Sequence, residues 1–135
     1  MKKPILIAAA VIALFILLLS SSVVSDQGEK WALANPKDPH APEVLYRAAR
    51  WCDIMGDDDK AVEIYWKLYE TYPQNGDLVA PALYYSAKIK ANSGTIVALR
   101  KQANSYLDIL LNQYSGQTEW HALGQKLYDE VNYVH

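Results

Sequence analysis

The stretch Gly56-Asp57-Asp58-Asp59-Lys60-Ala61-Val62-Glu63-Ile64-Tyr65-Trp66-Lys67-Leu68-Tyr69-Glu70-Thr71-Tyr72-Pro73 reads as a turn, a helix and a stop. Gly56 and the acidic triplet form the turn, and one of Asp57, Asp58 or Asp59 is placed to cap the helix and favour its positive end. Ala61, Tyr65, Leu68 and Tyr72 recur every three or four residues, the spacing of one helix face, and Pro73 ends the run. Forty-two residues later the same face returns as Ala103, Leu107, Leu110 and Tyr114. The helix ahead of each also recurs. Leu45-Tyr46-x-x-Ala49-Arg50 returns as Leu83-Tyr84-x-x-Ala87-Lys88, shifted by 38, each close behind an Ala-Pro (Ala41-Pro42 and Ala80-Pro81). Leu127-Tyr128-x-x-Val131 begins a fainter third unit. Two helices per unit at such a period indicate an α-solenoid.

Outward from this core, turn residues at 35–39, 56–59, 72–76, 92–94 and 115–116 divide the chain into helices of about 42–54, 58–72, 78–91, 95–114 and 117–133. A short helix near 27–35 precedes them. Ala49, Ala61, Ala87 and Ala103 are small where helices must approach closely. Pro42 and Pro81 are expected near helix starts, where a missing N–H costs little. Two and a half hairpins cannot bury all their apolar faces, so the last helix is expected to cap the array, or a partner to complete it.

The motif Gly56-Asp57-x-x-Lys60-Ala61-x-x-x-Tyr65-x-x-Leu68-x-x-x-Tyr72-Pro73 resembles the second half of a tetratricopeptide repeat (TPR). Tyr-Pro followed by Ala and Leu-Tyr resembles the bacterial cell-envelope branch of that superfamily. The resemblance covers about 36–133. The second unit departs from it: Ser115 stands where Pro is usual, and residues are added between Gly94 and Ala103. The first helix has Leu45 and Ala49 in place of the usual Trp and Gly. The resemblance implies an adaptor for protein–protein interaction or envelope-complex assembly. Its inner groove would be lined here by Glu43, Tyr46, Arg50, Asp53, Tyr84 and Lys88, two aromatic faces and two cations about one repeat apart. Aromatics supply rigid contact area, and cations meet acidic groups or a carboxyl terminus.

The N-terminal segment is of another kind. Lys2-Lys3 precede an apolar run from Ile5 to Leu19, and no charge falls between Pro4 and Ser25. As one helix, Pro4–Ser25 would reach roughly 33 Å at ~1.5 Å per residue, enough for a hydrocarbon core of ~30 Å. Basic residues before it and acidic ones after it orient the N-terminus inside. A signal peptide cleaved near Ser25 is the competing reading, with Val23 and Ser25 as the small residues at the site. The expected fold is therefore all-α: an N-terminal transmembrane or signal helix (1–25), a linker with a short helix (26–40) and a TPR-like domain (41–135). The expected location is the inner (cytoplasmic) membrane, single-pass with the C-terminal domain periplasmic, or the periplasm itself after cleavage. A small structural subunit of a large membrane complex, its N-terminal helix packed among other transmembrane helices, is the alternative function.

The chain carries a net charge of −2. Both lysines of the first 25 residues are in the leader, so the rest is mildly acidic and has no basic stripe for a phosphate backbone. Nucleic acid is not expected as a partner. Cys52 is the only cysteine, which excludes an internal disulfide and reads as a small buried residue. His40, His121 and His135 have no metal-ligand spacing, and the acidic triplet lacks the spaced ligands of a calcium loop. No phosphate loop, nucleophile elbow or haem motif occurs. The expectation is a non-enzyme with no cofactor, no metal and no small-molecule substrate, whose partners are membrane or envelope proteins. Trp51, Trp66 and Trp120 read as packing or docking residues, and Trp31 as an interfacial indole.

Overall fold

The computed structural model describes residues 3–20, 23–93 and 96–133. Among them are seven helices and no strand: α1 (Lys3–Ser20), α2 (Val23–Ala34), α3 (Ala41–Ile54), α4 (Asp58–Thr71), α5 (Gly76–Ala91), α6 (Ile96–Gln113) and α7 (Thr118–Asn132). From α2 onward each helix packs on the next, while α3 touches α5 and α5 touches α7. The helices therefore form two layers, α3, α5 and α7 in one and α2, α4 and α6 in the other. Hairpins therefore follow one another, α3 with α4 and α5 with α6, an arrangement compatible with the solenoid expected from the recurrences.

The recurring alanines explain the spacing of the layers. Ala49, Ala61, Ala87 and Ala103 are each 0 % exposed. Any larger side chain there would push two backbones apart in a core already packed near crystal density. Tyr65, Leu68, Leu107 and Leu110 fill the space between, all fully buried. The closing tyrosines also recur in function. The Tyr72 hydroxyl donates to the carbonyl of Pro36 at 2.8 Å, and the Tyr114 hydroxyl donates to the carbonyl of Pro73. Each hairpin thus ends by latching onto the loop that opened it.

Local geometry follows the turn residues. Gly56 has φ +83°, a left-handed conformation that favours glycine, and it ends α3. Asp57 sits at the N-cap of α4, but its side chain makes no cap hydrogen bond. The benefit of Asp58 and Asp59 is their charge in the first turn. α5 differs from expectation. It starts at Gly76, so Pro81 lies inside the helix and the Asp77 carbonyl loses its usual N–H donor. The Ala80-Pro81 pair falls one residue later than Ala41-Pro42 in the 38-residue register, and α5 carries an extra N-terminal turn ahead of it.

In the N-terminal segment, α1 is described as far as Ser20 and α2 from Val23; the expected single helix over 4–25 crosses residues 21–22, which lie outside the described residues. The 18 residues of α1 account for about 27 Å at ~1.5 Å per residue. Among the described residues, no helix is long and apolar enough to cross a membrane. The short helix expected near 27–35 corresponds to α2, which begins at Val23. It packs along α3, and buried Glu29 reaches α4, 2.9 Å from Lys60 Nζ and 2.7 Å from Lys67 Nζ. Burial raises the pKa of this carboxyl, but the two lysines outweigh burial and hold it below its ordinary value. Cys52 is buried as expected. Burial pushes its thiol upward, away from reactivity.

Candidate functional site

The expected groove maps onto the layer of α3, α5 and α7, and the structure sorts its six residues unequally. Arg50, on the last turns of α3, pairs with Asp53 at 2.9 Å. Its guanidinium also lies 3.9 Å over the ring of Tyr85 on α5, a cation–π contact. The buried Tyr65 hydroxyl donates to the same Asp53 carboxylate at 3.3 Å. Burial pushes the Tyr65 phenol strongly upward, so it remains a neutral donor. Arg50 is thus held by Asp53 and the Tyr85 ring, and its charge is already matched within the fold.

Lys88 is the freer cation. It is exposed and, with Arg50, Asp53, Asp58, Tyr85 and Asn92, lines a hollow of about 290 Å³ between the ends of α3 and α5. Two acids and two bases line it, and Asn92 adds an amide. Such a wall offers both donors and acceptors to a polar chain segment.

The tyrosines chosen from the recurrence mainly pack. Tyr46 is half-buried with its ring 6.2 Å from Tyr65, and burial raises its phenol pKa. Tyr84 sits 5.6 Å from Tyr85 and 5.8 Å from Trp120 of α7. Tyr85 in turn lies 5.7 Å from Trp120. A continuous aromatic seam therefore joins the three helices of this layer. Glu43 stands apart, paired with Arg47 at 2.6 Å on an exposed flank of α3.

Tyr85, Asp58 and Asn92 complete the hollow and were absent from the expected set. The 38-residue shift aligns Tyr85 with Arg47, so the recurrence carried no aromatic signal at that position. Asp58 belongs to the acidic triplet, whose reading as a helix start accounts for its place but not for its neighbours. Among the described residues, no group of three or more His, Cys, Asp or Glu is placed to hold a metal ion. His40 occupies the N-cap position of α3, where its backbone N–H donates to Asp38 at 2.9 Å. His135 lies outside the described residues. No protein-family model, no curated protein and no solved structure matches this chain.

Proposed function

We propose that the chain is a TPR-like adaptor that binds a protein partner along the α3–α5–α7 layer and is held at a membrane by α1. The observation that carries this reading is the polar hollow beside Lys88, set on a rigid aromatic seam. Buried aromatic contacts fix the hollow's walls, so a bound segment meets preorganised groups rather than having to order them. The layered hairpins, with small residues at the crossings, are consistent with the tetratricopeptide resemblance.

The membrane part of the proposal rests on α1. Its large apolar side chains from Ile5 to Ile16 are 58–72 % exposed and cover every side of the helix, the distribution expected of a helix solvated by lipid. On this reading the array lies on the extracytoplasmic side. Retention of α1 is favoured over cleavage, because a cut near Ser25 would sever the first turn of α2 beside a side chain that is buried against α3. A fixed place among the transmembrane helices of a larger complex is favoured by the same uncovered α1 surface.

The test places a photo-crosslinking amino acid at Lys88 and, as a control, at exposed Asn112 on the other layer. The proposal expects a discrete adduct from position 88 that Asp58→Lys abolishes, and none from position 112. Equal labelling at both positions, or none at 88, overturns it. The mass of the mature chain reports α1 directly: loss of the first 25 residues refutes anchoring.

A further inference from the structure

The two ends of the array differ in what they turn outward. Short turns make successive helices antiparallel, so the turns after α2, α4 and α6 fall at one end and those after α3 and α5 at the other. The second end is also where the chain arrives from α1. Ser25, on the first turn of α2, meets Cys52 near the end of α3 in a side-chain hydrogen bond. A Cβ on Gly28 would lie 3.7 Å from the Cβ of Ala48, so α2 starts beside the end of α3. Ser20 closes α1 and Val23 opens α2, and three residues of chain span at most about 11 Å. Asp58 and Asn92 line one hollow, which sets the turn after α5 next to the turn after α3.

This end presents apolar side chains where turns are ordinarily polar. Ile54 and Met55, at the turn after α3, are 66 % and 47 % exposed, and Val97, on the first turn of α6, is 78 % exposed. The repeat shows why Val97 lies outside the core. Trp66 meets Tyr106 and Tyr69 bonds Gln113, so α4 and α6 run parallel near the 42-residue register. In that register Asp58, the first residue of α4, corresponds to Arg100, yet α6 begins at Ile96. The added turn projects past the start of α4 and carries the most exposed large apolar side chain among the described residues. At the opposite end the turns after α4 and α6 present Gln74 and Ser115, while Trp31 and Leu33, on the last turn of α2, are 41 % and 43 % exposed.

Charge narrows the kind of surface that fits. Asp57, Asp58 and Asp59 stand beside Met55, all exposed, against Lys88 and Lys101 as the exposed bases of this end. An anionic surface meets more acids than bases here. A zwitterionic lipid surface meets no such opposition: aliphatic side chains enter the boundary between headgroups and acyl chains while the carboxylates stay hydrated among the headgroups.

We infer that this end of the array rests on the bilayer that holds α1, with Ile54, Met55 and Val97 inserted at the boundary between headgroups and acyl chains. The inference rests on the anchoring by α1 proposed above, and adds which end of the array faces lipid. The contact is apolar and shallow, so it needs neither anionic lipid nor low salt.

The test reconstitutes the full chain in phosphatidylcholine vesicles and attaches a small fluorophore through Ser93→Cys or Ser115→Cys, two exposed serines in turns at opposite ends. Cys52 is buried and stays unlabelled. Lipids carrying a nitroxide near the top of the acyl chain are expected to quench position 93 at least threefold more than position 115. Ile54→Ser, Met55→Ser and Val97→Ser together are expected to lower quenching at 93 at least twofold. All three side chains are exposed, so helix content by circular dichroism and flotation with the vesicles should both be unchanged. A chain that does not float with vesicles refutes anchoring by α1 and the inference with it. A chain that floats but is quenched equally at both positions, or at 93 regardless of the triple substitution, overturns the inference alone. Quenching that requires anionic lipid or vanishes in high salt assigns the contact to charge, and overturns it. Shielding of position 93 that follows protein concentration rather than lipid assigns this end to a second copy, and overturns it equally.

Discussion

Replacing Glu29 by glutamine tests how the N-terminal part is joined to the array. The Glu29 side chain is 8 % exposed and lies between Lys60 and Lys67, whose side chains are 29 % and 34 % exposed. Removing one member of a fully buried ion pair costs 3–5 kcal/mol, since a charge is left without compensation. Here the orphaned charges are lysines with a third of their surface in water, and Glu63 still faces both. Solvent screening reduces the loss, to about 2 kcal/mol. For a chain of this length that corresponds to a Tm lower by roughly 6–10 °C.

The pH dependence carries a definite sign. The Glu29 carboxyl titrates below its ordinary value of 4.5 in the fold, so folding favours the ionised form. The stabilisation is complete above about pH 4.5 and is lost as pH falls through the lower native value. Thermal unfolding followed by circular dichroism, on the full chain in detergent, should show the full Tm difference between parent and Glu29→Gln at pH 7. The difference should shrink at pH 3. Adding Lys60→Met and Lys67→Met to Glu29→Gln should restore much of the loss, because an apolar replacement of the whole cluster carries no unpaired charge. A Tm change below about 2 °C at neutral pH would refute the argument. A difference of the same size at pH 3 would refute it as well.

Two other substitutions test the packing. A Cβ at Gly124 would lie 2.6 Å from Leu110 Cδ2, so Gly124→Ala forces a fully buried leucine to shift; a loss of about 1–2 kcal/mol in urea unfolding is expected. An unchanged midpoint would mean that α7 sits further from α6 than the structure places it. Tyr72→Phe and Tyr114→Phe each remove one hydroxyl-to-proline-carbonyl bond, with an expected cost of about 1 kcal/mol apiece. The two latches belong to different hairpins, so the double variant should lose close to the sum; loss from only one would break the structural equivalence of the repeats.

The hairpins were legible because their signals are local or periodic. Gly56, Pro73 and the Asn75-Gly76 turn mark boundaries wherever they occur, and an alanine returning on a fixed face marks a helix crossing. α5 shows where that logic stops. Pro81 reads as a helix start on any local rule, yet Gly76–Ala80 are helical because Val79 and Ala80 are fully buried there. Tertiary packing outweighs the lost hydrogen bond. The docking of α2 was equally hidden, because Glu29 meets Lys60 and Lys67, residues more than thirty positions away that no local pattern ties to it. The candidate site was half legible for the same reason. Arg50 and Lys88 lie at recurring positions and Asp53 lies three residues beyond Arg50 on α3, whereas Tyr85 enters the site only because Arg50 folds over its ring.

The two ends of the array are not alike, and this decides where incompleteness matters. α7 turns Trp120, Gly124 and Leu127 inward against α5 and α6 and leaves Glu119, Lys126, Asp129 and Glu130 outside. It meets water with charge, as a terminal helix of a solenoid must. At the other end, where α2 packs on α3, Val44 and Trp51 remain half-buried, whereas the residues 38 positions on, Ala82 and Ile89, are buried. Length alone suggested a partner without saying where. The outer face of α7 is charged, so a partner there would meet Glu119, Lys126, Asp129 and Glu130, whereas one at α2 and α3 would meet the half-buried Val44 and Trp51.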